Sequence, residues 1–239
     1  VWGPPALARL PFFAVEEVGV VGSRWVPPDE VVRRADVEPD ASVWDDPSAW
    51  ERRVEAHPLV REAAVGRAGF RRLEVQVREV EPVALVPGED GLVPVDADGR
   101  ALPLDPAEVE VDLPLLPGGR VEEGDVGEGE GRDLLRVLVA LRRHEPDFVR
   151  RVSSVIRAGH GSVRVRLTEG QACEVVLLPR DRVVEAFRRV ESALGRHPGD
   201  TEVRAADARF DGQVVLRFRE APGKDRSASA AGRRGGGRG

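Results

Sequence analysis

Ala56-His57-Pro58-Leu59-Val60-Arg61-Glu62-Ala63-Ala64-Val65, then Leu73-Glu74-Val75-Gln76-Val77-Arg78-Glu79, then Pro82-Val83-Ala84-Leu85-Val86, is the stretch that decides the fold. Its first part predicts a helix end and a strand, because Pro58 cannot continue a helix. In the second part Leu73, Val75 and Val77 alternate with Glu74, Gln76 and Arg78, a period of two that buries one strand face and wets the other. Upstream, Val15, Val18, Val20 and Val21 predict a first strand within Phe13 to Val21, closed by a turn at Gly22. Pro27-Pro28-Asp29-Glu30 opens a short helix, since proline and acids suit a helix start. Asp45-Asp46-Pro47-Ser48 opens a second, with acids near the positive dipole end. Trp50, Val54 and His57 fall on one face of it. The order β-α-α-β-β predicts two helices on one face of a three-stranded sheet, a unit suited to holding other polypeptides.

Downstream of Pro82 the texture changes. Short apolar runs up to Pro117 are separated by Gly88-Glu89-Asp90-Gly91 and Asp98-Gly99, turn sequences of the hairpin kind. Glu122 to Asp133 is expected to be a flexible loop of glycine and acid. Leu134 to Arg143 predicts a helix with Leu134, Leu135, Leu138 and Leu141 on one face. Strands are expected at Val149 to Arg157, Val163 to Leu167 and Ala172 to Leu178. A helix is expected over Arg180 to Leu194, with Val183, Val184, Phe187, Val190 and Leu194 as its core stripe. Val203 to Arg219 predicts a last hairpin turning at Asp211-Gly212, in which Val214, Leu216 and Phe218 alternate with Val215, Arg217 and Arg219. After Glu220, Ala, Gly, Ser and Arg follow without periodicity, the composition of a disordered tail.

The 239 residues carry a formal net charge of -6, which argues against nucleic acid as the main partner, because phosphate binding needs a basic field. Lys224 is the only lysine, and Tyr, Met and Asn are absent, a bias expected of GC-rich coding. No run of 18 apolar residues is present to form a transmembrane helix. The opening stretch to Phe13 is apolar but interrupted by proline, and reads equally as the trailing edge of a membrane anchor or as a loose arm. Cys173, the only cysteine, allows no intrachain disulfide and no cysteine zinc site, and its strand-like neighbours predict a buried inert thiol.

Catalysis needs paired groups with tuned pKa values at workable distance. His57, His144 and His197 sit near helix ends, where a structural role is expected. His160 and Ser162 lie in a glycine turn with no third triad member. Asp96-Ala97-Asp98-Gly99 is similar to the start of a calcium loop, but the later ligands do not follow in register, so a hairpin turn is expected. The acidic run from Asp125 to Gly131 is expected to be solvated, and no phosphate-cradling Gly-Lys-Ser/Thr run exists. No catalytic residue, metal or cofactor is expected. Composition and spacing alone identify an α+β binding protein without a compartment.

The succession of motifs resembles the FtsQ/DivIB family of bacterial cell-division proteins. Phe13 to Gly22 resembles the family's first strand. His57-Pro58-Leu59-Val60-Arg61-Glu62-Ala63-Ala64-Val65 is similar to its "Pro-x-Val-x-x-Ala-x-Val" segment, and Leu73 to Glu79 followed by Pro82-Val83-Ala84 to "Leu-x-Val-x-Val-x-Glu-x-x-Pro-Val-Ala". Val95-Asp96-Ala97-Asp98-Gly99 resembles "Val-Asp-x-x-Gly", and Leu113-Pro114-Leu115-Leu116-Pro117-Gly118 resembles "Leu-Pro-x-Leu-x-Gly". Ala206-Asp207-Ala208-Arg209-Phe210-Asp211-Gly212-Gln213-Val214-Val215 is similar to the family's last strand pair. Each motif is weak alone; all of them in family order from Phe13 to Phe218 are specific.

The resemblance implies an α+β chain: a membrane-proximal arm over 1–11, a POTRA domain (β-α-α-β-β) over 12–82, a mixed β domain with packed helices and an open C-terminal edge strand over 83–220, and a disordered tail over 221–239. It implies a non-enzymatic scaffold of the divisome, anchored in the inner membrane by one helix that this sequence lacks, with its bulk periplasmic at the septum. The partners it implies are FtsB and FtsL at the last strands of the β domain, other components such as FtsK at the POTRA domain, and septal peptidoglycan synthase components. The expected partner-binding residues are Arg209, Phe210, Gly212, Gln213, Val215, Arg217 and Phe218. An edge strand recruits a partner strand by β-augmentation, and Arg217 and Arg219 would favour an acidic one. Phe218→Ala, or a Val215→Pro change to block the edge, is expected to weaken that binding. The alternative is a POTRA-containing module of an outer-membrane assembly or secretion factor, though such proteins usually repeat the unit and continue into a barrel.

Overall fold

Gly22 shows how closely the first elements meet. It ends β1 (Glu17–Val21) at φ +84°, and a Cβ there would lie 2.3 Å from the Val77 carbonyl oxygen, so only glycine lets the chain leave the sheet at this point. The computed structural model describes residues 13–107, 112–159, 161–168, 173–196 and 203–219. The arm over 1–11, the tail over 221–239, His160 and His197 lie outside these residues.

After β1 come α1 (Pro28–Ala35), α2 (Ser48–Glu55), β2 (Val60–Arg67) and β3 (Arg72–Glu79). The sheet order is β1-β3-β2, with β1 parallel and β2 antiparallel to β3. Leu73, Val75 and Val77 point into the core, as their alternation requires, and meet Val31, Ala35, Trp50 and Val54 from the helices. Trp50 is buried with its ring N–H donated to Glu38 at 2.7 Å. His57 lies just beyond α2. Its Nδ1 accepts the Leu59 N–H at 3.1 Å, which leaves the proton on Nε2, 3.4 Å from Glu30.

The second unit opens with the hairpin β4 (Ala84–Pro87) and β5 (Leu92–Val95), joined by the turn at residues 88–91. Leu115 bridges β4 to a larger sheet through parallel contacts with Leu85 and Ser154. That sheet holds β8 (Val152–Gly159), β9 (Ser162–Leu167), β10 (Cys173–Pro179), β11 (Val203–Asp207) and β12 (Val215–Phe218), in the order β12-β11-β10-β9-β8. The helices α3 (Glu130–His144) and α5 (Val183–Gly195) cover one face, where Leu138, Leu141 and Val190 meet Val155, Val165, Val176 and Ala206.

Three expectations need correction. Glu122 to Asp133 is ordered: Val121–Glu122 (β6) pairs with Asp125–Val126 (β7), and α3 already begins at Glu130. Arg132 holds this region by bonding the Asp98 carbonyl and, at 3.0 Å, Asp125. Val149 ends a short helix, α4 (Pro146–Val149), rather than beginning a strand. Asp211-Gly212 is not a two-residue hairpin turn, because residues 208–214 all lie between β11 and β12.

The two hydrophobic cores divide near Pro82: Val80 packs with the first and Val83 with the second. Leu102 and Leu104 are exceptions, since both follow β5 in the chain yet pack into the first core. Arg142 of α3 adds a tie at the same joint, bonding Glu81 at 2.7 Å and the Pro82 carbonyl at 3.3 Å.

Candidate partner-binding edge

The strand β12 ends its sheet, and among the described residues no strand lies on its outer side. Its register sets Asp207 opposite Val215, Ala206 opposite Leu216, Ala205 opposite Arg217 and Val203 opposite Phe218. The Ala208 N–H donates to the Leu177 carbonyl at 2.9 Å, so this side of β11 faces β10. By alternation Asp207 and Ala205 direct their backbone groups to β12, which makes Asp207–Val215 and Ala205–Arg217 the hydrogen-bonded pairs. The N–H and C=O of Leu216 therefore point outward. This changes the expected edge block: proline at Val215 would remove a ladder hydrogen bond, whereas proline at Leu216 removes an outward donor.

Side chains on β12 divide differently. Val214 and Leu216 pack on the core, while Val215 and Phe218 are each 43% exposed. Phe218 shares the parity of Leu216 but sits at the strand's end, past the helix-covered core. Arg217 is exposed, and Arg219 is ion-paired with Glu174 on β10.

The connection into β12 is built by local bonds. Arg209 folds back on Asp207 with Nε at 2.8 Å and a terminal nitrogen at 2.6 Å from its two oxygens, a bidentate pair. The Arg209 guanidinium holds the buried Asp207 carboxyl below its ordinary range, with the Arg209 N–H and the charge of Arg217 acting in the same direction against desolvation. Arg182, at the start of α5, bonds Asp211 at 2.7 Å, and the Gln213 N–H reaches the Phe210 carbonyl. Gly212 has φ +70° and open space where a Cβ would stand, so it serves backbone geometry. Phe210, 53% exposed, stands out from this loop. The structure thus brings Val215, Arg217 and Phe218 together on the strand, sets Phe210 and Gln213 on the loop before it, and turns Arg209 inward.

Sequence reasoning missed the sheet face that adjoins the edge. A shallow groove of about 820 Å³ is lined by Arg164, Arg166, Arg204, Arg217 and Arg219, with Glu174 as its acid and Val175 and Leu177 among its apolar residues. The signal was present: Arg164 and Arg166 alternate with the buried Val163 and Val165. Guanidinium groups match carboxylates in planar, two-pronged geometry, so a chain of net charge -6 presents here a surface that fits an acidic segment.

Asp96, Cys173 and His57 have structural settings away from this edge. Asp96 accepts the N–H groups of Asp98 and Arg100, both at 2.9 Å, which shapes the turn at Asp98-Gly99. Burial pushes the Cys173 thiol up, away from the reactive thiolate. Burial lowers the pKa of His57, helped by Arg34 and opposed by Glu30 and Glu79. Among the described residues no group of three or more His, Cys, Asp or Glu could hold a metal ion, and no helix is long and apolar enough to cross a membrane.

A β-α-α-β-β unit followed by a mixed sheet that ends, among the described residues, on β12 defines the class of this protein, an α+β chain of two linked domains. Residues 13–79 match the family model "POTRA domain, FtsQ-type", and residues 84–209 match "Cell division protein FtsQ/DivIB, C-terminal". The cell division protein FtsQ of Salinibacter ruber is 30% identical over 227 residues, covering 87% of this chain and 84% of that protein. The cell division protein FtsQ of Myxococcus fulvus is 30% identical over 243 residues, covering 96% of this chain and 84% of its own. The chain belongs to the FtsQ/DivIB family of cell-division proteins. Its fold is α+β, a POTRA domain followed by a mixed-sheet domain with helices. The major extracytoplasmic domain of DivIB from Geobacillus stearothermophilus aligns with 51% of this chain and 90% of its own at 17% identity, with a TM-score of 0.28. The match to the C-terminal model stops at Arg209, before β12.

Proposed function

We propose that this chain is a non-enzymatic scaffold of the bacterial divisome that captures an extended, acidic segment of a partner along β12. The observation that carries the reading is the terminal position of β12 with the Leu216 backbone turned outward beside an arginine-lined face. An added strand would find outward donors and acceptors for its backbone, Phe218 and Val215 for apolar contact, and guanidinium groups for its carboxylates. The family resemblance names FtsB with FtsL as that partner. In this reading the POTRA domain, over 12–82, meets other divisome proteins such as FtsK, the domain over 83–220 carries the strand capture, and septal peptidoglycan synthase components are further expected partners. The same reading has the chain working outside the inner membrane, behind a single-pass anchor, as an expectation of the family resemblance.

Isothermal calorimetry with the extracytoplasmic part of an FtsB–FtsL pair tests the proposal. Binding should be enthalpically detectable, weakened by Phe218→Ala and by Arg217→Glu, and unaffected by Phe70→Ala on the POTRA hairpin. Equal affinity for all four proteins would remove β12 from the interface.

A further inference from the structure

The POTRA sheet has two outer strands, and β2, at 8 residues, is longer than β1, at 5. Exposed edges invite further strands, and proteins blunt them with charge, proline or bulges. The centre of β2, Ala63-Ala64-Val65-Gly66, has no charged side chain and no proline, and the register irregularity lies at its start, between Val60 and Glu62.

The edge is closed from α2 instead. The Ala63 N–H donates to Glu55 Oε1 at 3.1 Å, and the Val65 N–H donates to Glu51 Oε1 at 2.9 Å. Backbone parity agrees: the Ala68 N–H donates to the Arg72 carbonyl, so even-numbered residues face β3 and odd-numbered ones face outward. One helical turn advances about 5.4 Å and two strand residues about 6.8 Å, so side chains four apart on α2 can reach donors two apart on β2. Each carboxylate oxygen stands where a carbonyl of an added strand would stand.

We infer that Glu51 and Glu55 hold β2 closed as a strand-docking edge, and that the strand they exclude is β2 of a second copy of this chain. A two-fold axis centred on Val65 pairs Val65 with itself, Ala63 with Arg67 and Ala64 with Gly66. This register joins the outward odd-numbered groups, opposes no like charges, and lets small side chains bring the backbones together. The POTRA domain is thereby kept from closing on itself and left to meet its partners through side chains. The inference is independent of the role assigned to β12.

Sedimentation analysis of the full chain tests it with three proteins: unaltered, Glu51→Gln/Glu55→Gln, and Glu51→Ala/Glu55→Ala. An amide oxygen still accepts an N–H bond, so the glutamine pair should associate no more than the unaltered chain. The alanine pair should self-associate at least tenfold more tightly, with Ala63 and Val65 amides protected from hydrogen exchange in the dimer. Should the alanine pair lose its circular dichroism signature, Glu55→Ala alone provides the same comparison at Ala63. Folded alanine variants that associate no more tightly than the unaltered chain overturn the inference, as does a glutamine pair that associates as strongly as the alanine pair.

Discussion

The chain has two long-range edges of opposite character. On β2, the outward N–H groups of Ala63 and Val65 are occupied by Glu55 and Glu51. On β12, the ladder turns Leu216 outward, and the neighbouring ionic groups, Asp207 with Arg209 and Arg182 with Asp211, brace the approach to the strand rather than cover it. Carboxylates thus close one edge and arginines flank the other. Edge position alone does not make a docking site; what matters is which side chains compete for the outward backbone groups.

The largest effect should come from removing the support of the closed edge. Trp50 is 3% exposed and fixes α2 against the sheet, so Trp50→Ala should destabilise the protein by about 3–5 kcal/mol in urea unfolding. It should also quicken exchange of the Ala63 and Val65 amides, since the carboxylates ride on that helix. On the other side, Asp207→Ala should cost about 2 kcal/mol, the scale of hydrogen bonds to a charged group, and should lower partner affinity by loosening the approach to β12. An unchanged midpoint would show that the pair with Arg209 adds nothing to order. Leu216→Pro should weaken partner binding about tenfold, equivalent to about 1.4 kcal/mol, in calorimetry on protein with native circular dichroism. A Val65→Pro change should leave that affinity unaltered, because the two edges are separate.

The smallest effect is a pH dependence with one source in each domain. His57 has its pKa lowered in the fold, so the folded state resists the proton that the unfolded chain accepts. Its contribution is complete above the unfolded value, about 6.5, and is lost as pH falls through the folded value. Urea midpoints should decline over that window, and His57→Gln should flatten the decline. Asp207 acts lower: its depressed pKa means that the stability it lends is present above about pH 4 and is lost as pH falls through its folded value.

Periodic features are legible in the sequence itself. The alternation in Leu73 to Val77 and the stripe from Val183 through Phe187 to Val190 set burial, because period and exposure are coupled directly. Short-range composition misleads where distant groups order it. Gly-rich Glu122 to Asp133 reads as loose, yet its Arg132 bonds Asp98 and Asp125. Asp211-Gly212 carries the signature of a tight hairpin, yet Arg182 holds Asp211 in a longer loop. At the candidate edge the strand is legible and the parity is not, because the hydrogen bond from Ala208 to Leu177 that sets it crosses strands. Arg209, expected at the partner surface, has a nearer anion in Asp207.

Leu102 and Leu104 give the joint between the domains a further meaning. They come after β5 in the chain but complete the core that β1, β2 and β3 begin. A protein shortened at residue 82 would retain every POTRA strand and helix and still lack two of its apolar contacts. The boundary that the chain draws at Pro82 is therefore not the boundary at which the molecule comes apart. Heat should melt the two domains in one transition, and a force applied at the last strand should be felt at the first.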